Sequence, residues 1–447
     1  MAGSVPATKT SSTQDSSPTD SQHDAVIVGA SLAGCATAIL LARAGATVAL
    51  VEQRPDPDAY KRICTHYIQS SAIGTLERLG LLEPMMRAGA VRSRGRLRMP
   101  AGWVALPEES SVESGINLRR EVLDPMIREV AASTPGVELL LGYTVQELLR
   151  EGDLICGALA RNTAGSELRL GSKLLVGADG RGSRVAKLAG VASKTVPHGR
   201  VAYGGYFEGP SPEGAPDASL WLLDPDMAAA FPTDSGLTFY AAMPIKEHAA
   251  AFREDPEKAL VEVISALPDA PPIAVSRMVA PAQGKLDMTN IAHAPTAPGL
   301  ALVGDAALAI DPLWGVGCGW ALQSADWLAD SVAPALVGSE PLAGALKRYR
   351  RRHGRALRGH AMMIYDYTSG RKFSPVERLL FNSAIHDERL GAVMEAFGSR
   401  NIGPTEMLLR AVPMALRTTM RRSISRRRAD QVSAIASVPR GPSSRSL

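Results

Sequence analysis

The chain has 447 residues, of which 45% are hydrophobic and 21% charged, and carries a net charge of +4. That length calls for two or three domains on a shared framework, large enough to enclose a cofactor, and that composition excludes a fibrous or wholly disordered protein. No apolar run approaches the roughly 18–20 residues of a membrane span, and four scattered cysteines with no CxxC pair exclude a disulfide framework or a zinc site, so a reducing cytoplasm, no metal and no transmembrane contact are expected.

Residues 1–22 are rich in Ser, Thr, Gln and Asp without the apolar stretch of a secretory signal, and are expected to form a disordered leader. DAVIVGASLAGCATAILLARAGATVALVE then runs from a β-branched strand through a glycine turn and an apolar helix to a second strand ending at Glu52, one βαβ unit. The spacing of Ile73, Leu76 and Leu79 predicts a helix from about Ser71. Short strands are expected between Gly95 and Gly115, a helix over 117–132, and two or three strands over 137–160.

LLVGADGRGSRVAKLAG at 174–190 is again strand, polar glycine turn and short helix. From 195 to 284 Pro and Gly rise and alternating runs such as VAYGGYFEG and GLTFYAAMP predict antiparallel strands, an inserted sheet. The strand–turn–helix idiom returns at ALVGDAALAIDPLWGVGCGWALQ, and the chain from 341 to about 422 reads as helices. The charge is uneven: residues 341–447 hold 21 Lys/Arg against 7 Asp/Glu, a net +14 that leaves −10 for the rest. Residues 423–447 are expected to be a basic flexible tail, with no specific nucleic-acid partner.

Three motifs carry the chemistry. In the first, G-A-S-L-A-G, Gly29 permits a tight turn, Ser31 stands where backbone approaches a pyrophosphate, and Gly34 lets helix and strand pack closely, with free N–H groups at the helix start. Glu52, 18 residues past Gly34 at the end of the next strand, is placed to accept from a ribose diol. Alone, this pattern suits NAD, FAD or S-adenosylmethionine. The second motif is Gly177-Ala178-Asp179-Gly180-Arg181-Gly182-Ser183, and the third Gly304-Asp305-Ala306-Ala307, followed by Asp311-Pro312, Gly315, Gly317 and Gly319. A carboxylate just after a buried strand is costly unless it accepts hydrogen bonds, which a cofactor ribitol or local backbone could supply.

In this order the three motifs resemble the flavoprotein family of aromatic-ring hydroxylases of the para-hydroxybenzoate hydroxylase type, squalene-type epoxidases, FAD-dependent halogenases and geranylgeranyl reductases. The resemblance spans Ala25 to about Leu328 apart from the inserted sheet. It implies an α/β fold: a Rossmann-like FAD/NAD(P)-binding domain of the glutathione-reductase type, an inserted, mainly antiparallel substrate sheet and a helical C-terminus. The expected domains are 23–90, 115–194 and 285–340 for FAD, 91–114 and 195–284 for substrate, and 341–422 for the helices. By the same resemblance Gly29, Ser31, Gly34 and Glu52 hold the ADP half of a non-covalent FAD, and Arg120 lies near its pyrophosphate. Asp179 and Gly180 serve FAD and transiently bound NAD(P)H, Asp305 binds ribose and phosphate, and Pro312, Gly315, Val316 and Gly317 approach the flavin.

The implied activity is monooxygenation of a small aromatic or polyketide/terpenoid-like metabolite with NAD(P)H and O₂ through a flavin C4a-hydroperoxide. A carbon–carbon reductase is the alternative, since geranylgeranyl reductases carry a cysteine where Cys64 falls. Halogenation is less favoured because no Trp-x-Trp-x-Ile-Pro segment occurs. A non-catalytic nucleotide binder or a methyltransferase is the reading from another class. Tyr203, Tyr206, Trp221, Phe239 and Tyr240, with His66 and Trp314 as catalytic candidates, are the expected pocket aromatics. Each could equally be a core residue, and His66, the candidate proton handler, a structural histidine.

Overall fold

The computed structural model describes residues 19–110 and 112–436. The first strand, β1 (Thr19–Val28), is followed by α1 (Leu32–Arg43) and β2 (Val48–Glu52). Residues 19–22, expected within a disordered leader, are instead strand and pair with 168–171; residues 1–18 of that expectation lie outside the described residues. Next come α2 (Arg120–Ser133) and the long strand β3 (Glu167–Gly177), then β4 (Ala202–Glu208), β5 (Leu237–Met243) and β6 (Leu300–Leu302). Three long helices close the chain: α3 (Gly317–Leu336), α4 (Leu342–Tyr367) and α5 (Pro404–Ala436). No described helix is long and apolar enough to cross a membrane.

The nucleotide-type sheet has the central order β6-β3-β1-β2, extended past β2 by Val137–Leu141, and all these pairings are parallel. Both its faces are covered, as parallel sheets require. Ala25, Ile27, Val48, Leu50, Leu174 and Val176 join the core beneath α1, α2 and α3. The alternate residues Val26, Val28, Ala49, Val51 and Leu175 join a second core under the antiparallel strands 143–151 and 154–162. That double burial is why VIV and VALV read as continuous apolar runs.

The second sheet is mainly antiparallel, with β4 and β5 side by side and Met227–Pro232 and Ala218–Leu222 beyond. Gly95–Met99 joins it through a parallel pairing with 218–221, whereas Val91–Ser93, expected in the same domain, pairs instead with Gly115–Asn117. Along β5, Phe239 and Ala241 lie on the face that borders a cavity and joins a core with the C-terminal helices, and Tyr240 and Ala242 face a layer formed by Phe252, Leu260 and Ile264. The last helix runs through Ala436, so the stretch expected to be a flexible tail from 423 is helical that far; residues 437–447 lie outside the described residues. Arginine is a good helix former, so a basic run need not end a helix.

One contact sets how closely α1 packs on the sheet. A Cβ built on Gly34 would stand 1.8 Å from the carbonyl oxygen of Gly29, and one on Gly29 (φ +105°) would stand 2.5 Å from the carbonyl oxygen of Ala178. Gly34→Ala is expected to cost about 1–3 kcal/mol or more of stability, the usual penalty of overpacking, measurable as a lowered midpoint in thermal or urea unfolding; an unchanged midpoint would contradict the packing role.

Candidate functional site

Four of the parallel strands end on the same edge, and each hands over to a residue singled out in the sequence. β1 leads to Gly29, β2 ends at Glu52, β3 leads to Asp179 and β6 leads to Asp305. Ligands in open α/β sheets bind beyond these carboxyl ends. A cavity of about 930 Å³ lies there, within the range of about 300–1,000 Å³ typical of ligand sites.

Gly29, Ser31, Glu52, Arg120, Asp179, Gly180, Asp305, Pro312, Gly315 and Gly317 all line this cavity. Gly34 and Val316 stand just behind it, the first by close packing and the second as the residue before α3, 2% exposed. Trp314 does not line it; its ring lies 6.3 Å from that of Tyr367, and its carbonyl accepts from Gln69. Trp221 and Tyr240 are also elsewhere. They are buried on the outer face of the second sheet, where Trp221 meets Trp103 edge-on and donates to the carbonyl of Pro268. Tyr203 borders the cavity but stacks on Phe252, which leaves Tyr206 and Phe239 as the aromatic wall.

Two helices open onto the cavity without a side-chain cap. The start of α1 follows Ser31, whose hydroxyl caps nothing in the helix, and the start of α3 follows Val316. Their first N–H groups are unpaired donors at the positive end of a helix dipole, suited to a pyrophosphate and to an electron-rich ring edge. A Cβ on Gly180 or Gly317 would meet nothing within 4 Å, so both leave room for a ligand against the backbone. These features fit a dinucleotide such as the expected FAD, and the residues that would hold it are those at the four strand ends and two helix starts.

The departure from glycine at Ser31 has a reason. The hydroxyl accepts from Arg120 Nη2 at 2.7 Å, while Asp124 receives Arg120 Nε at 2.7 Å. Arg120 is 3% exposed. Burial works against its charge, but Asp124 and then the sulfur atoms of Cys318 and Cys64 outweigh it and hold the guanidinium charged well beyond neutral pH. Arg128 braces the same turn, donating from Nε to the carbonyl of Ala30 at 3.1 Å. Glu52 accepts from the Ala30 N–H at 2.9 Å and from the backbone N–H and Nε of Arg54 at 3.0 and 3.1 Å, leaving part of its acceptor capacity for a ribose hydroxyl.

Asp179 is committed to its own loop: Oδ1 accepts from the Ser183 hydroxyl at 2.5 Å and Oδ2 from the Val185 N–H at 3.0 Å. Arg181 ties that loop to the carbonyl of Thr289 at 2.6 Å. Asp305 is paired with Lys61 at 2.8 Å. Burial raises its carboxyl, but the Lys61 charge and hydrogen bond win and hold it below the usual range. Lys61 and Cys318 are not among the site residues expected from the sequence, and Arg181 stands in the second motif without a role assigned to it. Lys61 lies in a loop without a motif, and only its distance in space from Asp305 reveals it.

His66 sits behind Tyr206. Its Nδ1 accepts from the Arg120 backbone N–H at 2.9 Å, and its Nε2 bonds the Tyr206 hydroxyl. Since a backbone N–H can only donate, the neutral ring carries its hydrogen on Nε2 and gives it to the tyrosine oxygen. The Tyr206 proton is thereby left to point elsewhere, and Tyr206 lines the cavity. Burial pushes the phenol well above its usual range, so it remains a donor. Among the described residues, no three His, Cys, Asp or Glu side chains converge as metal ligands.

The chain matches the family described as FAD binding domain over residues 22–362. It is 32% identical over 183 residues to 6-methylpretetramide 4-monooxygenase of Streptomyces rimosus, covering 39% of this chain and 42% of that protein, so the match spans less than half of that relative. It is 25% identical over 346 residues to a digeranylgeranylglycerophospholipid reductase of Methanococcoides burtonii, 74% of this chain and 79% of the other. A flavin-dependent brominase structure superposes with a TM-score of 0.72 at 19% identity, over 91% of this chain and 100% of its own, a likeness of fold.

Burial pushes His66 down to about 4 from 6.5, with the Cys64 charge opposing, and pushes His353 down to about 4 as well. In the unfolded chain such histidines take a proton near their ordinary value, in the folded one only near 4. The stability they contribute is therefore present above about pH 6.5 and lost as pH falls towards 4. Each is expected to lower stability by about 2 kcal/mol between about pH 7 and about pH 5. Thermal midpoints across that interval check this, and His353→Gln should flatten the fall; a midpoint insensitive to pH in the native protein would overturn it.

Proposed function

Because this chain belongs to the FAD binding domain family of FAD-dependent oxidoreductases, we propose that it is a monooxygenase that takes hydride from NAD(P)H and transfers one atom of O₂ to a small aromatic or polyketide/terpenoid-like metabolite. The observation that carries this reading is a single cavity with two unlike ends. At one end stand strand termini and uncapped helix starts suited to a dinucleotide; at the other stand Tyr206 and Phe239 of the second sheet, with ring centroids 5.1 Å apart. Bound FAD supplies the electron transfer to oxygen.

The chain's own part is positioning. The N–H groups opening α3 would stabilise negative charge on a bound flavin placed against them. Tyr206, its oxygen occupied by His66, offers one O–H to the substrate or the reacting oxygen, and Phe239 excludes water beside it. His66 positions Tyr206 and is not itself the group that delivers a proton. Nothing in this arrangement calls for a nucleophilic triad. The second reading, reduction of a carbon–carbon double bond without oxygen insertion, is supported by Cys64 on the cavity wall and by the long match to the reductases.

Substrate-dependent NAD(P)H oxidation and O₂ uptake rising together, across a panel of phenols and polyenes, is the expected result, with product lost under anaerobic conditions. Undiminished anaerobic product would transfer the assignment to the reductase. Tyr206→Phe is expected to keep its flavin and lose about 10- to 100-fold in turnover, the scale of one missing hydrogen bond in a dry site. Asp305→Ala should purify with little bound flavin, since the variant loses the carboxylate that the end of β6 presents to the cavity; full flavin occupancy would remove Asp305 from the site.

A further inference from the structure

Two of the four cysteines meet on the wall of the cofactor cavity. Cys64, in the loop after β2, and Cys318, in the first turn of α3, are 254 positions apart in the chain, yet their Sγ atoms stand 3.5 Å from each other. Both line the cavity; Cys318 is 5% exposed and Cys64 is partly open.

Their surroundings are asymmetric. The Cys64 sulfur accepts from the His66 backbone N–H at 3.2 Å and lies 3.9 Å from Arg120 Nη1. Arg120 Nη1 also lies 3.8 Å from the Cys318 sulfur. A hydrogen bond from Cys318, followed by the charges nearby, outweighs burial and lowers the Cys64 thiol well below its ordinary value, and the same bond with burial raises Cys318. One sulfur is set up to attack and the other to remain protonated until needed.

We propose that Cys64 and Cys318 are a redox-active dithiol that closes to a disulfide, with Cys64 as the attacking sulfur and Cys318 as the resolving one. The oxidant is hydrogen peroxide, the two-electron reduction product of O₂. The Cys64 thiolate attacks one peroxide oxygen; the O–O bond breaks, hydroxide leaves, and Cys64 becomes a sulfenic acid. Cys318 then attacks the Cys64 sulfur, gives up its proton, and displaces the hydroxyl as water. The two sulfurs lose two electrons between them, and the peroxide becomes one water and one hydroxide that takes a proton from solvent. Closure ties the loop carrying Lys61 and His66 to the first turn of α3. This holds whether the enzyme inserts oxygen or reduces a double bond.

The test is thiol counting on the FAD-loaded, fully reduced protein, treated with stoichiometric hydrogen peroxide, then denatured and alkylated. Two of the four thiols should be lost and the intact mass should fall by two hydrogens. A proteolytic digest should contain one disulfide joining the peptides of Cys64 and Cys318, while Cys35, buried in α1, and Cys156 are alkylated. Cys318→Ser should stop at the Cys64 sulfenic acid, captured by dimedone. Recovery of all four thiols, a disulfide through Cys35 or Cys156, or Cys64 oxidised to a sulfinic acid beside an alkylatable Cys318 overturns the proposal, and each can be read on the unmutated protein.

Discussion

A guanidinium that cannot lose its charge has been taken out of water at the centre of this molecule, and much else is arranged around the need to keep it satisfied. Arg120 is nearly sealed, and an isolated buried cation costs several kcal/mol. The offsetting partners come from four separate segments: Asp124 one turn along α2, Ser31 before α1, Cys64 in the loop after β2, and Cys318 at the start of α3. No one of these segments can shift without leaving the charge short of a partner. The floor of the cavity is thus held in place before any ligand arrives, and the two helix starts are aimed by the same residue.

Its neighbour does the corresponding work for the other half of the molecule. Arg119 donates from its backbone N–H and Nε to Asp234, at 2.9 and 2.8 Å, in the turn that leads into β5. Adjacent residues at the head of one helix therefore face in two directions, Arg120 into the nucleotide-type sheet and Arg119 into the second sheet. The guanidinium of Arg119 also stands 5.9 Å from the ring of Tyr206, so the helix that places Arg120 on the cavity also sets the distance to the aromatic wall.

What was legible in the sequence is what is local. A glycine turn after a β-branched run announces itself within ten residues, and Gly29, Asp179 and Asp305 could each be read at a strand end and now share one edge of one sheet. What was not legible depends on partners far along the chain. Lys61 meets Asp305 across 244 positions, and nothing about a lysine in a loop advertises that. The aromatics divided for a related reason: Tyr206, Trp221, Phe239 and Tyr240 all lie on alternating strands, but which side faces the cavity is decided by pairing register and by what packs behind. His66, a candidate in the sequence, does not itself line the cavity but sits behind Tyr206, held by the Arg120 backbone N–H that only the fold supplies.

The register of β4 against β5 sets Tyr206 opposite Phe239 and Gly205 opposite Tyr240. Since side chains alternate across a strand, a single-residue deletion in either would turn the ligand wall outward and push the outer core into the cavity. In this chain, exchanging side chains at every second position of β4 and β5 alters the wall without disturbing the core behind it, whereas a change of strand length alters both at once.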